Sequence, residues 1–201
     1  MTEEEKRPTL QVHPKEISGS WDAGFVLDLH TISSTMIGYN EFGHPEFDTQ
    51  RSPLGELVYR LKYKSDRTTL PPIIAALADS IKTWGIKPEV VVPIPPSKQR
   101  SFQPVIEIAT QLSKALQVPV DTTTLKKTGA TSQMKDIGDY SERVKALESV
   151  FTSGKDLKSR QVLLLDDLFQ SGASMNVAAR TLKTQGGVKT VYALALTRTR
   201  G

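Results

Sequence analysis

Two short, uninterrupted apolar runs, each followed by an amphipathic pattern, constrain the fold of this chain most. Residues 88–95 read PEVVVPIP, and residues 162–165 read VLLL. Strands that are apolar on both faces are typical of parallel sheets that helices cover on both sides. Apolar residues at helical spacing follow each run, over residues 105–116 and 175–182. This alternation predicts crossover connections, and therefore an α/β fold with a central, mostly parallel sheet flanked by helices.

The remaining elements follow from the same two periodicities. A helix is predicted over residues 54–61, after a capping Ser52 and a first-turn Pro53, and a second helix over residues 70–81. The other predicted elements are strands at 24–33, 36–49 (with a turn), 118–125, 148–153 and 188–198, a short helix at 141–147 and a long polar loop at 126–140.

The first residues of the chain differ in character from the rest. Residues 1–20 are polar and show no periodicity, so they are predicted to form a flexible arm. The remaining stretch, residues 21–201, has the length of one ordinary domain with a real core. We therefore expect one domain without internal repeats.

Composition excludes several classes of protein. The chain has no cysteine, which excludes disulfides and thiolate metal sites. The first ten residues, MTEEEKRPTL, lack the apolar core of a signal peptide, and no apolar run approaches the roughly 20 residues of a membrane span. The net charge is +4, but the basic residues are spread along the chain. We therefore expect a cytoplasmic protein with no membrane association, and a nucleic-acid partner is not favoured.

The stretch VLLLDDLFQSGAS, residues 162–174, carries the chemistry. Asp166 and Asp167 end a buried strand, and a small polar cluster from Gln170 to Ser174 begins the next helix. The free N–H groups and the dipole of a helix N-terminus favour an anion, and Gly172 lets the backbone approach it closely. Carboxylates repel phosphate but suit vicinal hydroxyls. A phosphorylated sugar satisfies both halves of this pattern.

Other interpretations of the stretch remain. A nucleoside-triphosphate loop would need a lysine after its glycines, and a dinucleotide fingerprint would need three glycines where this stretch has one. The aspartate pair could instead hold a metal ion for phospho-acceptor chemistry, which would leave the serine-glycine cluster unused. The remaining alternative is purely structural: Ser171 caps the helix and the aspartates are solvated.

The stretch resembles the phosphoribosyl-pyrophosphate (PRPP) motif of type I phosphoribosyltransferases. The wider chain is similar to the competence protein F (ComF)-like branch of that family over roughly residues 54–199. The segments that carry the similarity are LVYRLKY, VVPIPPSKQRSFQP, the glutamine and the arginine of SQMKDIGDYSERV, and the PRPP motif through LALTR. The resemblance implies the type I phosphoribosyltransferase fold, in which residues 21–50 would form a small N-terminal hood.

The resemblance also implies the roles of the site residues. Asp166 and Asp167 would be the catalytic residues and would hold the ribose hydroxyls of PRPP, while the 5′-phosphate would bind to Gln170, Ser171, Gly172, Ala173 and Ser174. The pyrophosphate loop would comprise Pro95, Pro96, Ser97, Lys98 and Arg100, and a flexible loop would supply Lys126, Lys127, Gln133 and Arg143. Mg²⁺ would arrive with PRPP and have no direct protein ligand. For the basic residues of both loops, a role as solvated surface charges stays open.

The implied reaction is transfer of the 5-phosphoribosyl group from PRPP to a nitrogenous base or related acceptor, with release of pyrophosphate. The alternative is a non-catalytic PRPP-sensing or DNA-uptake-related protein that keeps the fold. Two departures from the family pattern matter: ComF-like chains usually open with a cysteine zinc module, and 6-oxopurine phosphoribosyltransferases carry an aspartate where this chain has Gln170. The acceptor therefore stays unidentified, and a homodimer is an open arrangement.

Overall fold

The computed structural model describes residues 10–97, 101–128 and 139–200, without the side chain of Arg143. Within these ranges the strands are β1 (Lys15–Glu16), β2 (Ala23–Leu29), β3 (Thr31–Tyr39), β4 (Pro45–Arg51), β5 (Val90–Pro93), β6 (Leu125–Lys127), β7 (Phe151–Ser153), β8 (Gln161–Phe169) and β9 (Thr190–Arg198). The α-helices are α1 (Pro53–Lys64), α2 (Leu70–Thr83), α3 (Pro104–Leu116), α4 (Tyr140–Glu148) and α5 (Ala173–Thr184).

The central sheet has the strand order β1-β2-β9-β8-β5. The four strands from β2 to β5 in that order are parallel to one another, and only β1 runs antiparallel to its neighbour. The predicted α/β fold with a mostly parallel sheet is confirmed. Both apolar runs of the sequence lie inside the sheet as β5 and β8, and their residues Val90–Pro93 and Val162–Leu165 are buried.

Helices cover both faces of the sheet, as the apolar strands require. One face packs against α4 and α5, with Leu147 and Leu182 in its core. The other packs against α1, α2 and α3, with Leu61, Leu77 and Leu112 in its core. Helix α1 begins as predicted, because the Ser52 side chain accepts a hydrogen bond from Gly55 N–H and Pro53 is its first residue. Among the described residues, no helix combines the length and apolarity needed to cross a membrane.

Residues 10–20 differ from the flexible arm that the sequence predicted. Leu10 and Val12 pack against the core on the α1 side of the sheet, and β1 pairs with β2. The indole N–H of Trp21 donates a 2.8 Å hydrogen bond to the carbonyl oxygen of Ile17. Sequence periodicity missed this segment because a two-residue strand is too short to show one. Residues 1–9 lie outside the described part of the chain.

Strands β3 and β4 form a separate two-stranded ribbon, residues 31–51, joined by a turn around Gly43. The predicted strand and turn over residues 36–49 lie within it. Residues 21–50 were expected to form a hood, but β2 belongs to the central sheet. The hood itself stays a prediction.

The strand predicted over residues 118–125 is wrong for most of its length. Only Val120 forms a bridge, to Val91, and β6 begins at Leu125. Asp121 Oδ1 accepts hydrogen bonds from the N–H groups of Thr123 and Thr124, both 2.8 Å. Such local bonds from an aspartate compete with strand pairing, and apolar and β-branched content alone does not reveal them.

The predicted loop over residues 126–140 is also wrong at both of its ends. Lys126 and Lys127 belong to β6, which pairs antiparallel with β7, and α4 begins at Tyr140. This pairing joins residues more than twenty positions apart, so the local sequence did not show it. Residues 129–138, and with them Gln133, lie outside the described part of the chain.

Candidate functional site

A cleft of about 260 Å³ opens where the parallel strands β5 and β8 end. In open α/β sheets ligands bind beyond the carboxyl ends of the strands, so this is the expected place for a site. Pro95, Pro96 and Ser97 follow β5 and form one wall, and Asp166 and Asp167 of β8 form the floor. The structure therefore brings the described part of the predicted pyrophosphate loop and the aspartate pair into one cavity.

The N-terminus of α5 closes the cleft on one side. Gly172 precedes the helix with a φ of 74°, and a Cβ there would lie 2.6 Å from Cζ of Phe169. This position therefore requires glycine, both for its backbone angle and for the close approach of the ring. A side cavity of about 140 Å³ is lined by Asp166 and residues 168–175, and Ser174 also lines the main cleft. The five residues predicted to bind a phosphate thus surround one small cavity.

The amide N–H of Ala173 donates a long hydrogen bond of 3.5 Å to Ser171 Oγ. The distance exceeds the usual range for such a bond. It is therefore weak support for the alternative in which Ser171 merely caps the helix.

Asp167 is buried and has a cationic partner. Lys62 Nζ lies 2.8 Å from Asp167 Oδ2, and Asp167 is only 8% exposed. Burial alone would lower the pKa of Lys62, but the attraction of the Asp167 carboxylate outweighs it and raises that pKa above its ordinary value. The alternative in which both aspartates are merely solvated is therefore wrong for Asp167.

Asp166 differs from Asp167 in its surroundings. Burial in the cleft and the neighbouring Asp167 carboxylate raise the pKa of Asp166 to about 7. The Asp167 backbone N–H, which donates a 2.8 Å hydrogen bond to Asp166 Oδ1, and the charges of Lys62 and Lys127 offset part of this effect. A carboxyl group that titrates near neutral pH in a cleft is a candidate functional group.

Lys127 connects the two segments that were predicted to bind and cover pyrophosphate. Its Nζ donates a 2.8 Å hydrogen bond to Ser97 Oγ, and its side chain lines the cleft. Burial lowers the pKa of Lys127, and the Asp166 carboxylate offsets only part of that effect. Lys126, the adjacent residue, is exposed and does not line the cleft.

Lys62 was not predicted as a site residue, although it lies in the segment LVYRLKY. The apolar stripe of α1 identified the buried face of the helix but did not show which strand end lay beside Lys62. Gly55 allows α1 to pack directly against the backbone of His30, because a Cβ at residue 55 would collide with the His30 carbonyl oxygen. This close approach helps to fix the helix that carries Lys62.

Thr197 and His30 form a hydrogen-bond chain to the backbone of Asp167. The Thr197 hydroxyl donates a 3.0 Å hydrogen bond to the Asp167 carbonyl oxygen, and His30 Nδ1 lies 3.1 Å from the same hydroxyl. Because that hydroxyl has only one proton, His30 Nδ1 carries the proton of the second bond. Burial, aided by the charges of Arg51 and Lys62, lowers the pKa of His30 and keeps it neutral.

The side chains of three further predicted site residues cannot be placed. Lys98 and Arg100 lie outside the described residues, and Arg143 is placed only by its backbone, in α4. Gln170 is exposed and lines the side cavity at the start of α5. Within the described ranges, no group of three or more histidine, aspartate or glutamate side chains could hold a metal ion.

A family model for the phosphoribosyl transferase domain matches residues 66–199. The chain belongs to this family. The family match covers the cleft loops, the aspartate pair and the N-terminus of α5, but it begins after α1. Lys62 therefore lies outside the part of the chain that the family model describes.

Two curated proteins show which phosphoribosyl transferase domains this chain resembles. Competence protein F of Haemophilus influenzae is 26% identical over 145 residues, which are 67% of this chain and 63% of that protein. Competence protein ComFC of Bacillus subtilis is 26% identical over 152 residues, which are 75% and 62% of the two chains. The predicted ComF-like branch is thus confirmed. The match spans less than two thirds of the length of either relative.

A solved structure of adenine phosphoribosyltransferase from Leishmania tarentolae is also similar to this chain. It has a TM-score of 0.48 and 12% sequence identity, and the match covers 92% of this chain and 94% of that one.

Proposed function

We propose that this protein binds PRPP together with Mg²⁺ and transfers the 5-phosphoribosyl group to a nitrogenous acceptor, releasing pyrophosphate. One observation carries the proposal. The aspartate pair of β8, the N-terminus of α5 and the Ser97–Lys127 pair all line the same cleft. This arrangement offers carboxylates that accept hydrogen bonds from sugar hydroxyls, and on either side of them a region suited to a phosphate group.

The two carboxylates have different roles in this proposal. Asp166, which lines both cavities, accepts hydrogen bonds from the ribose hydroxyls when it is ionised. Asp167 contributes through its remaining acceptor capacity and holds Lys62 at the cleft wall. The 5′-phosphate occupies the cavity at Gln170 to Ser174, at the N-terminus of α5, because a helix N-terminus favours an anion.

The leaving pyrophosphate lies against the opposite wall. Lys127 and Ser97 provide a cation and a hydroxyl there, and the proline-stiffened segment from Pro95 to Ser97 holds them in place. The acceptor nitrogen forms a bond to C1 of the ribose while the bond from C1 to the pyrophosphate oxygen breaks. The electron pair of the broken bond leaves with the pyrophosphate, and the acceptor nitrogen gives its proton to solvent. Positive charge at this wall stabilises the negative charge that develops on the leaving group.

Magnesium fits the chemistry of this cleft. Mg²⁺ prefers oxygen ligands and is commonly held by one or two carboxylates together with substrate phosphates. In this proposal the oxygens of Asp166 and Asp167 bind the ribose hydroxyls and Lys62, so the phosphate and hydroxyl oxygens of PRPP would supply the ligands of the ion, and the two carboxylates would attract it to the cleft. When bound, the ion would neutralise pyrophosphate charge and orient the ribose.

Two measurements test the proposal. Millimolar PRPP with Mg²⁺ should raise the melting temperature, and ligand at about 100 times its dissociation constant adds about 2.7 kcal/mol to the free energy of unfolding. Pyrophosphate release should then be measured across a panel of purine, pyrimidine and amine acceptors. An unchanged melting temperature in PRPP with Mg²⁺ would contradict the whole proposal, whereas stabilisation without turnover would contradict only the transferase step.

The second candidate is a PRPP-binding protein without transferase chemistry that acts in DNA uptake. The names of the two curated relatives favour it, since both are competence proteins. The same acceptor panel separates the candidates, because a pure sensor binds PRPP and releases no pyrophosphate with any acceptor. Gln170 adds one constraint on an active enzyme: its amide cannot accept a proton at neutral pH, which disfavours 6-oxopurine acceptors.

A further inference from the structure

Trp21 lies beside the wall of the side cavity at the N-terminus of α5. Its ring meets the Phe169 ring edge-on, with 6.4 Å between the ring centroids and 78° between the ring planes. Phe169 lines the side cavity and lies so close to Gly172 that a Cβ there would collide with the ring. Trp21 itself lines neither the side cavity nor the main cleft. It therefore contacts the cavity wall through Phe169.

The indole of Trp21 is held in one orientation by its own segment of the chain. The residue is only 8% exposed and belongs to the core on the α5 side of the sheet. Its N–H donates a hydrogen bond of 2.8 Å to the carbonyl oxygen of Ile17. A Cβ on either Gly19 or Gly24 would collide with the indole, so both glycines allow the backbone to pack directly on the ring. The ring cannot turn away from Phe169 without disturbing this packing.

The residues on either side of Trp21 are attached to the two ends of α5. Asn176, in the first turn of the helix, accepts a 2.7 Å hydrogen bond through Oδ1 from the N–H of Ser20. Lys183, in the last turn, places its Nζ 2.9 Å from Asp22 Oδ2. The segment that carries Trp21 is thus fixed to the helix whose N-terminus borders the side cavity.

The conformation of the turn at Gly172 determines how well this N-terminus binds an anion. Backbone N–H groups bind phosphate best when they are held in place before the ligand arrives. Gly172 has a φ of 74°, and glycine is the residue with the most backbone freedom, so a neighbour must hold it there. The Phe169 ring does so by filling the space beside it. If Trp21 were removed, the Phe169 ring could move into the vacated volume and Gly172 would lose this support.

We propose that Trp21 is a positioning residue for the 5′-phosphate of PRPP. It holds the Phe169 ring against Gly172 and thereby keeps the first turn of α5 in the conformation that binds phosphate. This inference rests on the proposed function, which places the 5′-phosphate in the side cavity. Trp21 lies outside residues 66–199, which match the family model, so the site extends to a segment that the model does not describe.

The full chain should be titrated separately with ribose 5-phosphate and with pyrophosphate, each in the presence of Mg²⁺. Trp21→Leu should weaken ribose 5-phosphate binding by about three- to tenfold, the range expected for loss of an aromatic pair. Pyrophosphate affinity should stay unchanged, because the wall formed by Ser97 and Lys127 lies on the opposite side of the cleft. A variant that is merely destabilised would not distinguish the two ligands. Circular dichroism and the melting temperature establish that the variant is folded.

The matched control is Trp84→Leu. The Trp84 ring stacks on the Phe25 ring with 4.0 Å between the centroids, and neither residue lines the cleft or the side cavity. This control also removes an indole that packs on a phenylalanine, and it should change neither affinity. The inference is overturned if folded Trp21→Leu binds ribose 5-phosphate as the wild type does, if it loses both ligands equally, or if the control loses ribose 5-phosphate affinity as strongly.

Tryptophan fluorescence provides a test that leaves Trp21 in place. The chain has two tryptophans, so Trp84→Phe makes Trp21 the sole source of the emission. Ribose 5-phosphate should change the intensity or wavelength of that emission, and pyrophosphate should not. An emission that stays constant at saturating ribose 5-phosphate overturns the inference even if Trp21→Leu does not fold.

Failure of this inference is distinguishable from failure of the proposed function. A wild-type protein that binds neither PRPP nor ribose 5-phosphate contradicts both. A wild type that binds both ligands, together with a Trp21→Leu variant of unchanged affinity, contradicts only the role of Trp21.

Discussion

Lys62 Nζ lies 2.8 Å from Asp167 Oδ2, while burial and the Asp167 carboxylate raise the pKa of Asp166, the preceding residue on the same strand, to about 7. Two adjacent carboxylates that look equivalent in the sequence therefore have different surroundings. Their substitutions should have opposite effects on the free energy of unfolding.

Asp167→Asn should lower the free energy of unfolding of the unliganded protein by about 1 to 3 kcal/mol, because the partly buried Lys62 loses its charged partner. Asp166→Asn should raise it at pH 8, because it removes a buried charge beside Asp167. Chemical denaturation of both variants at pH 5 and pH 8 measures the difference. The folded-state pKa of Asp166, about 7, lies above the ordinary 3.8, so between about pH 4 and pH 7 the folded chain binds a proton that the unfolded chain has lost. The contribution of Asp166 to the free energy of unfolding therefore falls as pH rises through that window. A stabilising effect of Asp166→Asn that is as large at pH 5 as at pH 8 would refute this account.

PRPP affinity should increase as pH rises through about 7, because the ionised form of Asp166 accepts stronger hydrogen bonds from the ribose hydroxyls than the protonated form does. Lys62→Met should move this transition to higher pH, since the Lys62 charge helps to ionise Asp166. Isothermal titration at several pH values, in two buffers of different ionisation enthalpy, reports both the affinity and the proton released. The control is Lys145→Met, on α4 and outside the cleft lining. An affinity that is flat from pH 6 to pH 8 would be evidence against a role for Asp166.

The double change Asp166→Asn with Asp167→Asn should weaken PRPP binding by at least about tenfold, since hydrogen bonds to a charged acceptor contribute roughly 1.5–3 kcal/mol each. Ribose 5-phosphate should lose affinity as well, because it carries the same hydroxyls. Inorganic phosphate should not, because the cavity from Gln170 to Ser174 is unchanged. Competition binding of PRPP, ribose 5-phosphate and inorganic phosphate to the folded variant measures these three affinities. If phosphate weakens in parallel with PRPP, the aspartates do not recognise the sugar.

Gly172→Ala should destabilise the protein and also reduce the affinity for phosphate and PRPP. Alanine at a positive φ costs about 1 to 2 kcal/mol, and its Cβ would collide with Phe169 at the wall of the phosphate cavity. Gly85→Ala is the matched control, since Gly85 has a φ of 67°, has open space where a Cβ would lie, and is outside the cleft lining. Thermal melts with and without phosphate separate the two effects. Equal behaviour of the two variants toward phosphate would remove Gly172 from the site.

Tight DNA binding is not expected. Counterion release requires several phosphates to be neutralised together, and the ribbon adds acidic residues to a chain whose basic residues are dispersed. A gel-shift series at about 150 mM salt with double- and single-stranded DNA checks this. Submicromolar binding under those conditions would favour the DNA-uptake candidate.

The sequence predicted the parallel sheet and the grouping of residues around the side cavity because both depend on local patterns. An apolar run followed by acidic residues and a glycine-containing turn determines β8 and the start of α5 wherever the rest of the chain lies. The pairing of β6 with β7 and the position of Lys127 beside Ser97 depend instead on contacts between distant segments. Those contacts leave no local periodicity.

Lys62 could not be predicted for a similar reason. The residue follows Leu61 in an amphipathic helix, where a lysine most often faces solvent. Its position at the cleft depends on where α1 packs against β2 and β9, which in turn depends on the order of strands in the sheet. At Asp121 the cause is local instead of distant. The Asp121 side chain accepts hydrogen bonds from nearby backbone N–H groups, and a loop forms where composition predicted a strand.

The position of β9 has a consequence for biosynthesis. This strand is the most C-terminal of the described elements, yet it lies between β2 and β8 at the centre of the sheet. A nascent chain that has not yet reached residue 190 therefore carries two open strand edges, on β2 and on β8, with no partner to join them. Unpaired strand edges can pair with strands of other chains, which promotes aggregation. We expect translation intermediates of this protein to depend on chaperones until β9 leaves the ribosome and pairs with both β2 and β8.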